Sequence, residues 1–154
     1  MIKNISYLCM MTGLFLIAWI DARKRMIPNK WLLLLAGIKV MLLVAEYVLG
    51  KENWQSICSD SIKGFVIGGG ILFFCYWLTA GRIGAGDVKL FAVLGFYLGA
   101  EEIYYAMFFS VLSAAIYCVN KMLHKNLERN WEIPFAPFIL LGSVMAILWE
   151  RIPF

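Results

Sequence analysis

The sequence predicts an all-α protein, a polytopic bundle of about six transmembrane helices with a short fourth one. Two observations carry this expectation. The 154 residues are 62% hydrophobic and only 16% charged, whereas a soluble domain has about a quarter charged residues and under half apolar ones. The mean hydropathy is +0.78, and the apolar residues fall into runs at roughly 5–20, 31–49, 62–79, 88–99, 103–119 and 134–149. No polar stretch between them is long enough to fold alone, so residues 1–154 are expected to form a single membrane-embedded domain.

A full span needs about 20 residues, within a range of about 17 to 25. The first run resembles a signal peptide in length. It lacks a strongly basic start and a small-x-small cleavage site, and it ends in Trp19-Ile20-Asp21, so it reads as a retained helix. The second run carries Lys39 and, nearer its outer end, Glu46. Lys39 is a functional candidate by its depth, balanced by the ordinary reading that it snorkels or pairs. Glu46 is expected to reach headgroups. Gly68-Gly69-Gly70 in the third run suit close helix packing. A phosphate-cradling role fails because no Lys-Ser/Thr follows. The fourth run is short and is expected to be tilted or partly buried, borrowing residues from its flanks. The fifth and sixth runs are long enough or nearly so.

The basic residues set the topology. Arg23, Lys24, Arg25 and Lys30 lie between the first two runs, Arg82 and Lys89 beside the third and fourth, and Lys121, Lys125 and Arg129 between the fifth and sixth. The opposite set holds Lys3, Lys51, Lys63 and Arg151, and the connector after the fourth run has Glu101 and Glu102 with no base. The positive-inside rule then places the first, third and fifth connectors in the cytoplasm and both termini outside. The net charge of +4 is therefore read as a topology signal, with no nucleic-acid partner. Residues 121–133 are expected to form a solvated connector. Trp31, Trp54, Trp131 and Trp149 fall near helix ends, as membrane anchors do.

Chemistry is sought in what remains. Cys9, Cys58, Cys75 and Cys118 make no Cys-x-x-Cys pair and suggest neither zinc nor a disulfide framework. The only histidine, His124, has no serine triad around it. No metal or cofactor is expected. Two carboxylates stand out. Asp21 ends the first run and Asp87 opens the fourth, which puts both at the cytoplasmic end of the bundle. Each has an ordinary reading. Asp21 would pair with Arg23, Lys24 or Arg25, and Asp87 would serve the free amides and dipole of its helix. Together they make a sharper one. Two aspartates within reach in a poorly hydrated site share one proton, so one acts as base and the other as acid. Such a pair can activate water against a peptide carbonyl. If they stand more than about 6 Å apart without substrate, proton sharing is weak in that state, and closure on binding becomes part of the mechanism. Gly84 and Gly86, just before Asp87, let the backbone turn tightly and are expected to lie extended beside a substrate strand. Lys89 is expected at headgroups.

Gly84-Ala85-Gly86-Asp87 followed by Val88-Lys89-Leu90 resembles the signature of the Gly-x-Gly-Asp intramembrane aspartyl proteases, specifically the type IV prepilin peptidases (leader peptidases). Asp21 with Ile27-Pro28-Asn29 resembles that family's first-aspartate motif. Phe91-Ala92-Val93-Leu94-Gly95 with Gly99 is similar to its continuation, and Ile133-Pro134-Phe135-Ala136-Pro137-Phe138 to its Pro-Phe-x-Pro-Phe segment. The resemblance implies that Asp21 and Asp87 are the catalytic pair. It also implies that Gly84, Gly86, Pro28, Asn29, Pro134 and Pro137 belong to motifs or position substrate. The implied activity is removal of class III signal peptides from prepilin-like or preflagellin-like precursors at the cytoplasmic face of the cell membrane. Larger members carry an N-terminal region with paired Cys-x-x-Cys motifs and methylate the new N-terminus. This chain starts at its first helix, so peptidase without methyltransferase activity is expected, as in small Tad-type or archaeal forms. The basic leader would lie near Glu128, Glu132 or the headgroups, although Arg23, Arg25 and Arg82 oppose it.

Two other classes compete. A small transporter or ion-binding protein would use the same aspartates, but nearer the midplane and on the broken helices of a repeat. A catalytically silent assembly scaffold would have no use for both aspartates.

Overall fold

A computed structural model of the chain describes residues 2–49, 54–80, 84–123 and 134–150. They form six helices: α1 (Ile2–Lys24), α2 (Asn29–Val48), α3 (Trp54–Leu78), α4 (Ala85–Leu98), α5 (Ala100–Leu123) and α6 (Ala136–Glu150). The fold is the all-α bundle that the apolar runs predict. Helices α1, α2, α3 and α5 are long and apolar enough to cross a membrane. Their outward faces carry Leu33, Met41, Phe73, Trp77, Phe108 and Leu123, all largely exposed. Such a surface suits acyl chains and would not be tolerated in water. The chain is a multi-pass membrane protein.

Helix α4 has 14 residues and, at 1.5 Å per residue, is about 21 Å long. That is short of a hydrocarbon core of about 30 Å. Its surroundings explain how it is stable. Leu90, Phe91, Ala92, Val93, Leu94, Gly95, Tyr97 and Leu98 are all buried. A helix apolar on every face belongs inside a protein, and α4 is enclosed by α1, α2, α3 and α5. As expected, it borrows Ala85, Gly86 and Asp87 from its flank. Glycines make the tightest of these contacts. A Cβ on Gly64 of α3 would overlap the backbone of Gly95 and Gly99, and one on Gly68 would overlap the Phe91 carbonyl. Gly69 rests on Ala92, but Gly70 meets nothing. Two of the three consecutive glycines therefore pack as expected.

Three expectations need correction. The sixth run, expected near spanning length, gives only 15 helical residues among those described. Pro134 and Pro137 supply no N–H to continue a helix backwards, so α6 opens at Ala136 with Pro137 tolerated in its first turn. Helix α3 starts at Trp54, well before its apolar run, because a helix ends where its hydrogen bonding ends and not where hydrophobicity does. Glu101 and Glu102 are not in a connector but in the first turn of α5, where acidic residues suit the helix dipole. The link from α4 is Gly99 alone, at φ +87°, a conformation that side chains disfavour. The Asp60 carboxylate of α3 accepts the Ala100 N–H at 3.1 Å and so caps α5.

Candidate active site

The end of α1 and the starts of α2, α4 and α6 gather at one end of the bundle. Each link is a specific contact. The α1 core stripe runs Met10, Leu14, Ile17, Ala18, and Asp21 is its next member at helical spacing. Asp21 is therefore turned inward and is only 5% exposed. Its Oδ2 accepts the Ala136 N–H at the start of α6, at 3.0 Å. The expected pairing with nearby bases does not occur. Arg23 lies over the Trp19 ring, 4.6 Å from its centroid, and among the described residues no ion pair reaches Asp21. The chain turns immediately afterwards, at Arg25 with φ 52°.

Asp87 sits half-buried in the opening turn of α4, which is not one of the four helices long enough to cross a membrane. Its carboxylate has no hydrogen-bond donor among the described residues, so it does not serve as a cap. Burial pushes its pKa up to about 6, and the Asp21 charge adds to that rise. The Asp21 carboxylate thus stands within Coulombic range of Asp87.

The two motif glycines have separate tasks. Gly84 is the residue before α4, at φ −63° and ψ 126°. A Cβ there would lie 2.9 Å from Asp87 Oδ2, so the missing side chain is the room the carboxyl occupies. Gly86 is inside α4 and is not extended as expected, because the helix begins at Ala85. A Cβ on Gly86 would lie 3.1 Å from the Ile27 Cβ. Its absence lets the α1–α2 corner, which follows Asp21, rest on the start of α4. Pro28 precedes α2 in an extended conformation, at φ −75° and ψ 121°, as a residue that fixes φ at a helix entry should. Asn29 Oδ1 accepts a hydrogen bond from Lys89 Nζ at 3.2 Å. Lys89, expected at headgroups, instead ties α4 to α2. Pro134 and Pro137 are half-buried and flank Phe135 and Ala136. The Phe135 ring meets the Phe91 ring of α4 at 6.2 Å between centroids.

Ile27 and Ala136 stand in the quoted motifs, but sequence reasoning missed what they do: Ile27 packs against Gly86 and the Ala136 amide binds Asp21. The signal for Ala136 was the proline spacing, since a helix opening between Pro134 and Pro137 has few N–H groups to offer. Gly81, Arg82 and Ile83, together with His124, Glu128, Arg129, Trp131 and Glu132, lie outside the described residues.

Lys39 does not join the aspartates. It lines a polar cavity of about 300 Å³ toward the other end, with Ser6, Glu46, Asp60, Tyr97 and Glu102. Its Nζ lies over the Tyr97 ring, 5.6 Å from the centroid. Glu46 is buried there and does not reach headgroups. At the wall of the cavity, Tyr7 donates to Glu102 at 2.5 and 2.7 Å. Lys3 bridges Glu102 at 3.2 Å and Glu150 at 2.8 Å. These bonds clasp α1, α5 and α6 at the end opposite the aspartates.

Fold and site together define a multi-pass helical membrane protein with two aspartates, from separate helices, at the same end of the bundle. The chain belongs to the type IV leader peptidase family, whose sequence profile matches residues 8–119, a region that includes both aspartates. It is 34% identical to a prepilin leader peptidase/N-methyltransferase of Bacillus subtilis over 136 residues, 88% of this chain and 52% of that protein. The proteins of the same description from Aeromonas salmonicida and Pseudomonas aeruginosa are 32% and 29% identical. They align with 86% and 89% of the chain, and with 45% and 47% of their own length. The chain thus spans about half the length of these relatives. No solved structure matches it.

Proposed function

We propose that this chain is an aspartic-type endopeptidase, acting as one membrane-embedded unit, that removes the leader from prepilin-like precursors. The observation that carries the reading is the pair itself. Asp21 and Asp87 come from different helices, stand within Coulombic range, and both fall in the region that matches the leader peptidase family.

The chemistry follows from their unlike surroundings. Asp21, whose carboxylate accepts the Ala136 N–H, is the base, and Asp87, which has no such donor among the described residues and whose proton burial holds, is the acid. Asp21 takes a proton from water as the water oxygen bonds to the scissile carbonyl carbon. Asp87 gives its proton to the carbonyl oxygen, leaving a neutral diol. The diol collapses as the amide nitrogen takes the proton from Asp21 and the C–N bond breaks. Asp87 recovers its proton from the departing hydroxyl hydrogen, so the pair is reset. Arg23, Lys24, Arg25 and Lys30 beside this end support its placement at the cytoplasmic face, with both termini outside. The precursor's apolar helix packs in the bilayer against the enzyme, with its leader outside the bilayer on the cytoplasmic side.

The test is co-expression with class III precursors from the same genome. Leader removal is read by gel shift and the cut by N-terminal sequencing. One defined cut is expected. Failure of the wild type, inserted in the membrane, to cut any of them would refute the reading.

A further inference from the structure

A buried carboxylate must find donors, and the donor that Asp21 finds is a main-chain group 115 residues away. We infer that the opening of α6 is the positioning element of the catalytic pair. In it the Ala136 N–H fixes the Asp21 carboxyl, and Phe135 fastens the same segment to the helix of Asp87. This inference rests on the endopeptidase reading above.

Three features converge on it. The first amide of a helix has no acceptor within that helix, so it is free to bind elsewhere, and a helix start favours a negative charge. Pro134 and Pro137 carry no N–H, which leaves only Phe135 and Ala136 as donors across that stretch. Ala136 is fully buried, with 0% exposure, so its amide is committed to Asp21 and hidden from solvent. The Phe135 carbonyl accepts from Phe138 N at 3.0 Å and Ile139 N at 3.1 Å, which fixes where α6 begins and therefore where the Ala136 amide points. The Phe135 ring then packs on Phe91. Phe91 stands four residues after Asp87, on the same face of α4. One short segment thus touches the helices of both aspartates. With Oδ2 held by the amide, Oδ1 is the Asp21 oxygen left to take the proton from water.

The experiment uses the purified full chain and a precursor peptide, comparing wild type, Ala136→Gly, Ala136→Pro and Asp21→Asn. Glycine keeps the N–H. Proline removes it at a position where a helix accepts proline. Ala136→Gly is expected to retain kcat within about threefold. Ala136→Pro should lose about ten- to hundredfold in kcat with KM changed less than about threefold, the range expected from one charge-assisted hydrogen bond. Should Ala136→Pro fail to insert, an ester in place of the Phe135–Ala136 amide removes the same N–H without a ring. The same kcat loss is expected from it. Equal kcat in the glycine variant and in the proline or ester variant would overturn the positioning role. Failure of the wild type to cut the precursor peptide would instead overturn the endopeptidase reading beneath it, and cleavage by Asp21→Asn would remove Asp21 from the chemistry, so these failures are distinguishable.

Discussion

Gly84→Ala should separate activity from stability. The added Cβ would lie 2.9 Å from Asp87 Oδ2, where ordinary contact begins near 3.4 Å. The carboxyl group must therefore retreat by about 0.5 Å, and it can, because it is the free end of a side chain. The backbone at Gly84, φ −63° and ψ 126°, is open to alanine. Losing glycine before a helix costs about 0.5–1 kcal/mol. Restricting the unfolded chain returns about 0.4–1 kcal/mol, so the thermal midpoint in detergent should scarcely move. Catalysis is less tolerant, since a displacement of 1 Å can cost about a hundredfold in rate. Half of that displacement suggests a loss of about tenfold in kcat, with KM within about threefold. Purified Gly84→Ala and wild type would be compared on a precursor peptide, with mass spectrometry to count product. A kcat within about twofold of wild type would refute the assignment of Gly84 as the space for the Asp87 carboxyl. So would a loss that merely tracked the unfolded fraction.

Two further outcomes are expected. Asp87 should titrate near pH 6 in a carboxyl-carbon NMR experiment. Because its protonated form is the acid, kcat/KM should fall above that pH by up to about tenfold per unit. In Asp21→Asn the Asp87 midpoint should drop only modestly, because burial is the larger cause of the rise and the Asp21 charge the smaller. A midpoint near 4 in the wild type would contradict the assignment of roles. Lys39→Met should leave cleavage within about twofold of wild type, because Lys39 lines a cavity on the far side of the bundle. A drop of more than about tenfold in the folded variant would bring that cavity into the site.

Much of the fold was legible because a membrane imposes few options. Long apolar stretches must be helices, and consecutive spans bring alternate connectors to the same end. That is why the short α4 and the shared end of Asp21 and Asp87 could be anticipated. What escaped depends on partners distant in sequence. Glu102 is an ordinary loop acid until Tyr7 and Lys3 are placed beside it. Lys89 is a headgroup ligand until Asn29 arrives. The Ala136 amide is a main-chain donor, which no residue letter announces. Gly86 reads in the sequence as part of an extended stretch because glycine is permissive, yet it lies inside α4, where Ile27 packs against it.

The most direct measurement compares purified wild type, Asp21→Asn and Asp87→Asn, each reconstituted in bilayers, on one precursor. Each asparagine is nearly isosteric and removes only the capacity to exchange the proton. Loss of at least about a thousandfold in each variant, with thermal midpoints kept, is the expected result for a pair acting as one unit. Cleavage by either folded variant at more than about a tenth of the wild-type rate would contradict two-aspartate catalysis.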